Sequence, residues 1–363
     1  MNDQVSQKIL KLHEELRFWW TDLCRIAIAL YDPGADTLST FVSSNDRDNP
    51  LTHYQAQLED VPSLQKIASD RQPRVIDDLR TLADSGSHHT QSLLAAGVLS
   101  SYTVPVYSSN QELTGFLFFN SDQTNYFNQE LVHHLDIYAQ LLIALLEAEI
   151  SPIKVLSAAV YTAKRFTSWR DEETGEHLAR VSHYSRLIAN GLHEKKGLSD
   201  EYIEFLFQFA PMHDIGKITI PDKILLKPGP LDRQERDIMN THVSKGVEIV
   251  DQLVESFSLH GVTHVEIMRN IVHYHHERWD GKGYLQGLSG EEIPLEARIV
   301  ALADCFDALL SERPYKPAWS FEKTKGYLRE QSGRHFDPAC VDALLIDQAQ
   351  IHSIRERFAD KAT

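Results

Sequence analysis

The sequence predicts two domains of different fold class, an α+β domain at residues 1–150 and an all-α domain at residues 151–363. The first 122 residues contain two pairs of short segments rich in β-branched and aromatic residues, which is typical of an antiparallel sheet with flanking helices. From residue 153 onward the apolar pattern is almost wholly helical, which predicts a helical bundle. A chain of 363 residues is long enough for each domain to bury its own core.

The N-terminal domain is predicted to alternate helices and hairpins. RIAIALYD and LSTFVS flank the turn PGADT, and SSYTVPVY and LTGFLFFNSD flank the turn SSNQE, so each pair predicts a hairpin. In chain order the predicted elements are a helix at 1–20, a hairpin at 25–43, a helix at 62–70, a short apolar run at 73–79, a helical stretch within 81–97, a hairpin at 100–122 and a long helix at 127–149.

The long helix is predicted to continue into the second domain. Ser151 and Pro152 lead directly into a second helical stretch at 153–168, and proline is tolerated in the first turn of such a stretch because its missing N–H is not needed there. The two domains would then share one kinked helix. The loops predicted in the second domain lie at 170–174, 218–231, 278–294 and 311–319.

The net charge of −16 limits the classes of partner. A non-specific binder of nucleic-acid polymers needs a basic face, and the sequence shows none. An anionic small substrate remains compatible with this charge where metals and a few local cations outweigh the global field.

The sequence favours a cytoplasmic protein without a membrane partner. The start MNDQVSQKIL has neither a basic nor an apolar signal region. The most apolar window, LLIALLEAEI at 141–150, contains Glu147 and Glu149 and is expected to fall short of the ~20 residues that span a bilayer. Three scattered cysteines suit a reducing compartment.

Eight side chains able to bind metal lie within 132 residues of the second domain. One ion needs only three or four protein ligands, so eight predict two or three adjacent ions. Multinuclear sites with open coordination positions are typically hydrolytic and often act on phosphate esters. The eight are Glu173, His177, His213, Asp214, His242, His275, His276 and Asp304.

Local sequence supports two of these pairs. Glu173 and His177 are four residues apart, so on a helix they share one face. His213 and Asp214 follow the apolar run FLFQFAPM, so both are expected to be buried, where coordination would offset the cost of an unpaired carboxylate. All eight ligands are His or carboxylate, which suits iron, with manganese as the alternative, and argues against a closed structural zinc site.

The segments around these ligands resemble the HD-GYP family, the cyclic di-GMP phosphodiesterase branch of the HD hydrolase superfamily. The resemblance covers roughly residues 151–345 and rests on HDIGK, HHERWDGKGYL and ALADCFDALLSERPYK, which occur in the family's order. The family's Gly-Tyr-Pro motif reads Gly283-Tyr284-Leu285 here. Leu285 removes the φ constraint of proline, so we expect altered loop rigidity or partner recognition before any loss of chemistry.

The resemblance implies a role for each ligand. Asp214 would bridge two ions, and Glu173 would bind the third ion found in some family members. By the same resemblance one ion is held by His177, His213, Asp214 and Asp304, and the second is completed by His242, His275 and His276.

The resemblance also implies substrate contacts. Asp214 and Lys217 would act in the metal-assisted attack of water on phosphorus, with Lys217 offsetting charge on the phosphoryl oxygens. The position of Asp307, one turn after Asp304, suits holding a ligand or a metal-bound water from outside the coordination sphere, although an ordinary helix-cap or hydrogen-bonding role fits equally well. The implied reaction opens cyclic di-GMP to pGpG, and a second cut gives GMP. The side chains expected to touch the dinucleotide are Lys217, Tyr284, Arg313 and Lys316.

The order of elements in the N-terminal domain resembles GAF sensor domains, which often precede such output domains. This implies regulation of the second domain and a small-molecule ligand that the sequence does not identify. The helices at 1–20 and 127–168 carry apolar stripes suited to a parallel homodimer, though each stripe could equally pack on its own domain.

Two alternatives to an active cyclic di-GMP phosphodiesterase stay open at this stage. The output domain could be a catalytically silent receptor for cyclic di-GMP or a module that docks a partner; only Leu285 favours this, since no ligand type is missing. It could also be an HD hydrolase of another cyclic dinucleotide, because the preference for guanine or adenine is not legible in the sequence.

Overall fold

The computed structural model describes residues 4–45, 54–85, 88–167, 174–256, 264–312 and 317–360. The chain divides into two compact units, Met1–Ile150 and Ser151–Thr363. The first unit is built around an antiparallel sheet, and the described part of the second unit is helical. The predicted fold class, α+β followed by an all-α bundle, is confirmed.

The first unit contains a six-stranded sheet in the order β3-β2-β1-β6-β5-β4, with every pair antiparallel. Both predicted hairpins are present, as β1–β2 and β5–β6. The elements are α1 (Gln4–Trp19), β1 (Leu23–Asp32), β2 (Thr37–Asn45), β3 (Gln55–Gln57), α2 (Pro62–Asp70), β4 (Arg74–Ile76), α3 (His88–Ala95), β5 (Ser100–Tyr107), β6 (Leu113–Ser121) and α4 (Gln129–Thr167).

The sheet is buried on both faces, because successive apolar side chains along its strands point to opposite faces. Phe116 and Phe118 of β6 lie on one face and pack with Leu64 and Ile67 of α2 in a buried cluster. On the other face Phe119 stacks against Tyr102 of β5, with ring centroids 5.9 Å apart. Burial on both faces explains why β5 and β6 read as nearly continuous runs of β-forming residues.

Helix α4 is continuous from Gln129 to Thr167 and includes Pro152. Its segment Gln129–Ile153 has a mean hydropathy of 1.3 over its most apolar window and is long enough to cross a membrane by length and composition. The expectation that no apolar window reaches spanning length is therefore wrong by this criterion. Leu135 and Leu142 of this segment are buried within the described structure, as in the core helix of a globular unit, although only 28% of the window is buried.

The second unit is a bundle centred on α5, which packs against α6, α10 and α12. Thr174 caps the N-terminus of α5 by accepting a hydrogen bond from the His177 N–H, and Gly197 ends the helix in the left-handed conformation. The helices are α5 (Gly175–Lys196), α6 (Asp200–Phe209), α7 (Asp222–Leu225), α8 (Arg233–Ser256), α9 (Val265–Tyr274), α10 (Leu295–Leu310), α11 (Phe321–Gln331), α12 (Pro338–Ile346) and α13 (Gln348–Arg357).

Candidate metal centre

Seven of the eight predicted ligands are described, and they form two groups whose ligand atoms lie within 4.8 Å of one another inside each group. Glu173 lies outside the described residues. Helices α5, α8 and α10 and the segments that follow α6 and α9 bring the ligands together. One group consists of His177, His213 and Asp304, and the other of Asp214, His242, His275 and His276.

The first group joins α5, the segment after α6, and α10. Nε2 of His177 lies 3.5 Å from Oδ1 of Asp304, and Nε2 of His213 lies 3.9 Å from the same oxygen. His213 is fully buried, whereas the Asp304 side chain is 27% exposed. The group is therefore closed on the protein side and open where Asp304 meets solvent.

The second group is arranged around the buried carboxylate of Asp214. Oδ1 of Asp214 lies 3.1 Å from Nε2 of His242 and 3.5 Å from Nε2 of His275. Nε2 of His276 lies 3.2 Å from Nε2 of His242. Oδ2 of Asp214 lies 3.2 Å from Nε2 of His213, so this one carboxylate lies between the two groups. A bridging carboxylate in a two-ion site needs that position.

Hydrogen bonds at Nδ1 orient the histidine rings. The Nδ1 atoms of His213 and His242 lie 2.9 Å and 2.8 Å from the backbone carbonyls of Ala210 and Met239, and Nδ1 of His275 lies 3.0 Å from the carbonyl of Ile271. A carbonyl can only accept, so each Nδ1 carries the proton and leaves Nε2 with a lone pair. This is the usual arrangement of a metal-binding histidine.

The donor set fits a metal ion by a second observation. Nε2 of His177 and Nε2 of His275 are buried and have no hydrogen-bond partner within the described residues. Such atoms are costly to bury without a partner. Both nitrogens lie in the two ligand groups, where an ion would satisfy them.

The electrostatics place these side chains in the protonation states that coordination requires. Burial alone would raise the pKa of Asp214, but the charge of Lys217, followed by the interaction with His213, holds this pKa well below its ordinary value. Burial lowers the pKa values of His275 and His276. Near neutral pH the carboxylate is thus ionised and both imidazoles are neutral, as metal binding demands.

Two glycines let the HDIGK segment lie directly against α8. A β-carbon at Gly216 would lie 1.8 Å from the carbonyl oxygen of His242, and one at Gly246 would lie 2.6 Å from Cγ1 of Val272. Contacts under 3.0 Å are too close for a real β-carbon, so a side chain at Gly216 would displace backbone and one at Gly246 would displace the Val272 side chain. This close packing carries His242 to Asp214.

The structure places two of the four predicted substrate contacts beside the metal groups. Nζ of Lys217 lies 2.8 Å from Oδ2 of Asp214 and is 23% exposed. The ring of Tyr284 stacks on His276 with centroids 4.7 Å apart. Burial, followed by the charge of Asp214, raises the pKa of Tyr284, so its hydroxyl keeps the proton. Arg313 and Lys316 lie outside the described residues, and their roles stay predictions.

The loop that carries Tyr284 is organised by Glu277, a residue that the sequence reasoning missed. Glu277 is buried, and its Oε1 accepts hydrogen bonds from the backbone N–H groups of Gln286 (2.7 Å) and Gly287 (3.1 Å). A β-carbon at Gly283 would lie 2.4 Å from Cα of Glu277, so the loop packs closely on this residue. The position of Glu277 directly after the two histidines is the sequence signal that could have identified it. Leu285 is 45% exposed at the same turn.

Asp307 lies where the sequence suggested, next to a ligand but outside both groups. Its Oδ2 lies 2.8 Å from Nδ1 of His177, and its Oδ1 accepts a hydrogen bond from Arg180 Nε at 2.6 Å. Burial would raise the pKa of Asp307, but the hydrogen bonds to His177 and Arg180 lower it. Arg180 was not among the predicted site residues, because its partners are distant in sequence.

Residues 169–340 match the family model of the HD domain. The match covers most of the second unit. All seven described ligands lie within it.

Curated relatives match part of the chain. The chain is 44% identical over 225 residues to the cyclic di-GMP phosphodiesterase response regulator RpfG of Xanthomonas campestris pv. campestris, covering 62% of this chain and 56% of the relative. It is 39% identical over 201 residues to the 3'3'-cGAMP-specific phosphodiesterase 2 of Vibrio cholerae, covering 55% of this chain and 36% of the relative. The chain thus spans about half or less of the length of these relatives.

Among solved structures, the chain is similar to the GAF domain region of a putative membrane protein from Geobacter sulfurreducens. The identity is 14%, the match covers 40% of this chain and 93% of that chain, and the TM-score is 0.33.

Proposed function

We propose that this chain hydrolyses cyclic di-GMP at a multinuclear metal centre in its HD domain, giving pGpG or GMP. Iron is the preferred ion and manganese the alternative, because the donors are imidazole nitrogens and carboxylate oxygens. The observation that carries the proposal is the convergence of six such side chains around the buried carboxylate of Asp214.

The residues have separate roles in this proposal. Bound ions would polarise the phosphoryl group and lower the pKa of water at the site. The protein's own part is to hold the carboxylate of Asp214 ionised and the imidazoles neutral before any ion arrives. Lys217 presents an ammonium group 2.8 Å from Asp214, where it can stabilise charge on a non-bridging phosphate oxygen. Tyr284 offers a protonated hydroxyl and a ring face beside His276.

The choice of cyclic di-GMP over a mixed dinucleotide is supported by the relatives. RpfG is named for cyclic di-GMP and has the higher identity, 44% against 39% for the relative named for 3'3'-cGAMP. Because the relatives' names include both substrates, the activity should be measured with each of the two dinucleotides.

The proposal extends to the N-terminal unit. We infer that it regulates the HD domain, that it binds a small molecule, and that the chain acts in the cytoplasm as a homodimer. The supports are the six-stranded antiparallel sheet with covered faces, the helix that runs on from this unit, and the exposed apolar side chains of that helix.

The test is product analysis on metal-loaded protein. The full chain is purified anaerobically with iron or manganese and incubated with cyclic di-GMP and, separately, with 3'3'-cGAMP, and products are separated by chromatography. Asp214→Ala should abolish hydrolysis, whereas Asp342→Ala, which removes an exposed carboxylate of α12, should leave it unchanged. Turnover of 3'3'-cGAMP alone would contradict the proposed substrate, and no turnover of either by fully loaded protein would contradict the proposed activity.

A further inference from the structure

Arg180 is a buried cation with several hydrogen-bond partners. Its side chain is only 5% exposed, and it grips Asp307 with two hydrogen bonds, Nε to Oδ1 at 2.6 Å and Nη2 to Oδ2 at 2.9 Å. This two-point contact between guanidinium and carboxylate fixes both planes. Burial disfavours the charge of Arg180, but the hydrogen bonds to Asp307 and Asp360 raise its pKa above the ordinary value.

Asp307 also contacts His177, one of the predicted metal ligands. Its Oδ2 lies 2.8 Å from Nδ1 of His177, and its side chain is 1% exposed. A carboxylate at Nδ1 sets the tautomer and the plane of the imidazole ring. The direction in which Nε2 of His177 points, toward Asp304, therefore depends on where Arg180 holds Asp307.

The other partners of Arg180 are Ser311, whose Oγ accepts from Nη2 at 3.0 Å, and the C-terminal segment, Phe358–Asp360. Nη1 of Arg180 donates to the backbone carbonyl of Phe358 at 2.7 Å and to Oδ1 of Asp360 at 3.1 Å. Asp360 Oδ1 also accepts a hydrogen bond from Oγ1 of Thr174 at 3.0 Å. Thr174 is the N-cap of α5 and accepts from the His177 N–H at 3.1 Å.

The C-terminal segment thus reaches His177 by two routes, through the side chains of Arg180 and Asp307 and through the helix cap at Thr174. The inner members of this chain of contacts are buried, but Asp360 is 46% exposed. Asp360, Arg180 and Asp307 also line one side of a cavity of about 500 Å³. Asp360, at the outer end of this series of contacts, can therefore be substituted without disturbing the core.

We propose that Phe358–Asp360 is a positioning element of the metal centre, in which Asp360 holds Arg180 so that Asp307 orients His177. The inference rests on the proposed metal centre and adds residues far from the ligands in sequence. Asp360 contacts neither the ligand groups nor a substrate position, so it acts on His177 only through Arg180 and Thr174.

The expected effect is on the first metal group alone. Removing a partner that orients a metal ligand directly typically weakens metal affinity about 10- to 100-fold. Asp307→Asn should show a loss in that range, and Asp360→Ala, one contact further out, should show a smaller loss of about 3- to 10-fold. Binding at the group around Asp214 should keep its affinity.

The experiment measures manganese(II) binding to the full-length protein by competition with a chromophoric chelator. Asp360→Ala is compared with Glu356→Ala, which removes a carboxylate lining the same cavity. Asp360→Ala is also made in the Asp307→Asn background, where it should cause a smaller loss than in wild type, because only the route through Thr174 remains. Asp360→Asn, which keeps an acceptor oxygen, should recover part of the affinity.

A second readout needs no metal. In protein labelled with ¹⁵N at histidine and stripped of ions, the Nδ1 proton of His177 should exchange with solvent faster in Asp360→Ala than in wild type or Glu356→Ala. Equal exchange and equal manganese affinity in all three proteins, with wild type binding manganese, would overturn the positioning role and leave the proposed function intact. Additive losses in the double variant would also overturn it. A wild type that binds no manganese or iron would contradict the proposed function itself.

Discussion

Gly216 packs against the backbone of His242 so closely that a β-carbon at 216 would lie 1.8 Å from the His242 carbonyl oxygen. The same β-carbon would lie 2.6 Å from the backbone nitrogen of Gly246. This contact sets the distance between the HDIGK segment and α8, and with it the distance between Asp214 and His242. The geometry of the candidate metal centre thus depends on a backbone contact as well as on its ligands.

Gly216→Ala is expected to destabilise the HD domain and to weaken metal binding. Both neighbouring groups are backbone and cannot move easily. The free energy of unfolding should therefore fall by at least the ~1–3 kcal/mol typical of overpacking. Gly326→Ala in α11 is the matched control, since a β-carbon there meets nothing within 4 Å and should be neutral or stabilising. Urea unfolding and metal analysis of both variants check this. Equal stability of the two variants would show that the contact relaxes.

Lys217→Met is expected to lower kcat about 100-fold, the usual loss for one donor that stabilises transition-state charge. Because Lys217 is not in either ligand group, the variant should still contain metal. Lys223→Met, which removes an exposed lysine nearby, provides the control. Steady-state kinetics with cyclic di-GMP and analysis of metal content check this. A kcat within twofold of wild type would refute the role of Lys217.

The metal-free protein is expected to lose stability as the pH falls below about 6.5. Burial lowers the pKa of His183 to about 3 and that of His335 to about 4, from an ordinary value of 6.5. Both stay neutral in the folded chain while the unfolded chain binds protons below pH 6.5, so protonation favours unfolding. Urea titrations in chelator at pH 7, 6 and 5 should show a falling free energy of unfolding, and His335→Gln should flatten the slope. A constant free energy across this range would be inconsistent with these pKa values.

Self-association is expected through the outer face of α4. Ile137 and Leu141 are 54% and 60% exposed, and with Ala144 and Ala148 they repeat at intervals of four, three and four residues, the spacing of a coiled-coil seam. Leu141→Glu should convert a dimer to a monomer in light scattering. Gln140→Glu, which adds a charge at the neighbouring exposed position, should not. A monomeric wild type would contradict the homodimer.

The sequence predicted the helical second unit and the set of candidate ligands because both leave local patterns. Apolar periodicity marks the helices, and the ligands sit in short motifs. Strand β3 (Gln55–Gln57) was missed because it is polar and only three residues long, and α7 (Asp222–Leu225) because its four residues lie within a segment predicted as a loop. The link from Asp360 to His177 could not be foreseen, since Arg180 lies 127 residues from Asp307 and 180 from Asp360.

The most direct measurement is the number of metal ions per chain. Protein purified anaerobically is analysed for iron and manganese by mass spectrometry, as wild type, Asp214→Ala and Asp342→Ala. A site in which Asp214 lies between two ligand groups predicts at least two ions in wild type and in Asp342→Ala, and loss of at least one in Asp214→Ala. Less than one ion per wild-type chain under saturating metal, or a full complement in Asp214→Ala, would contradict the metal centre on which the proposed hydrolysis depends.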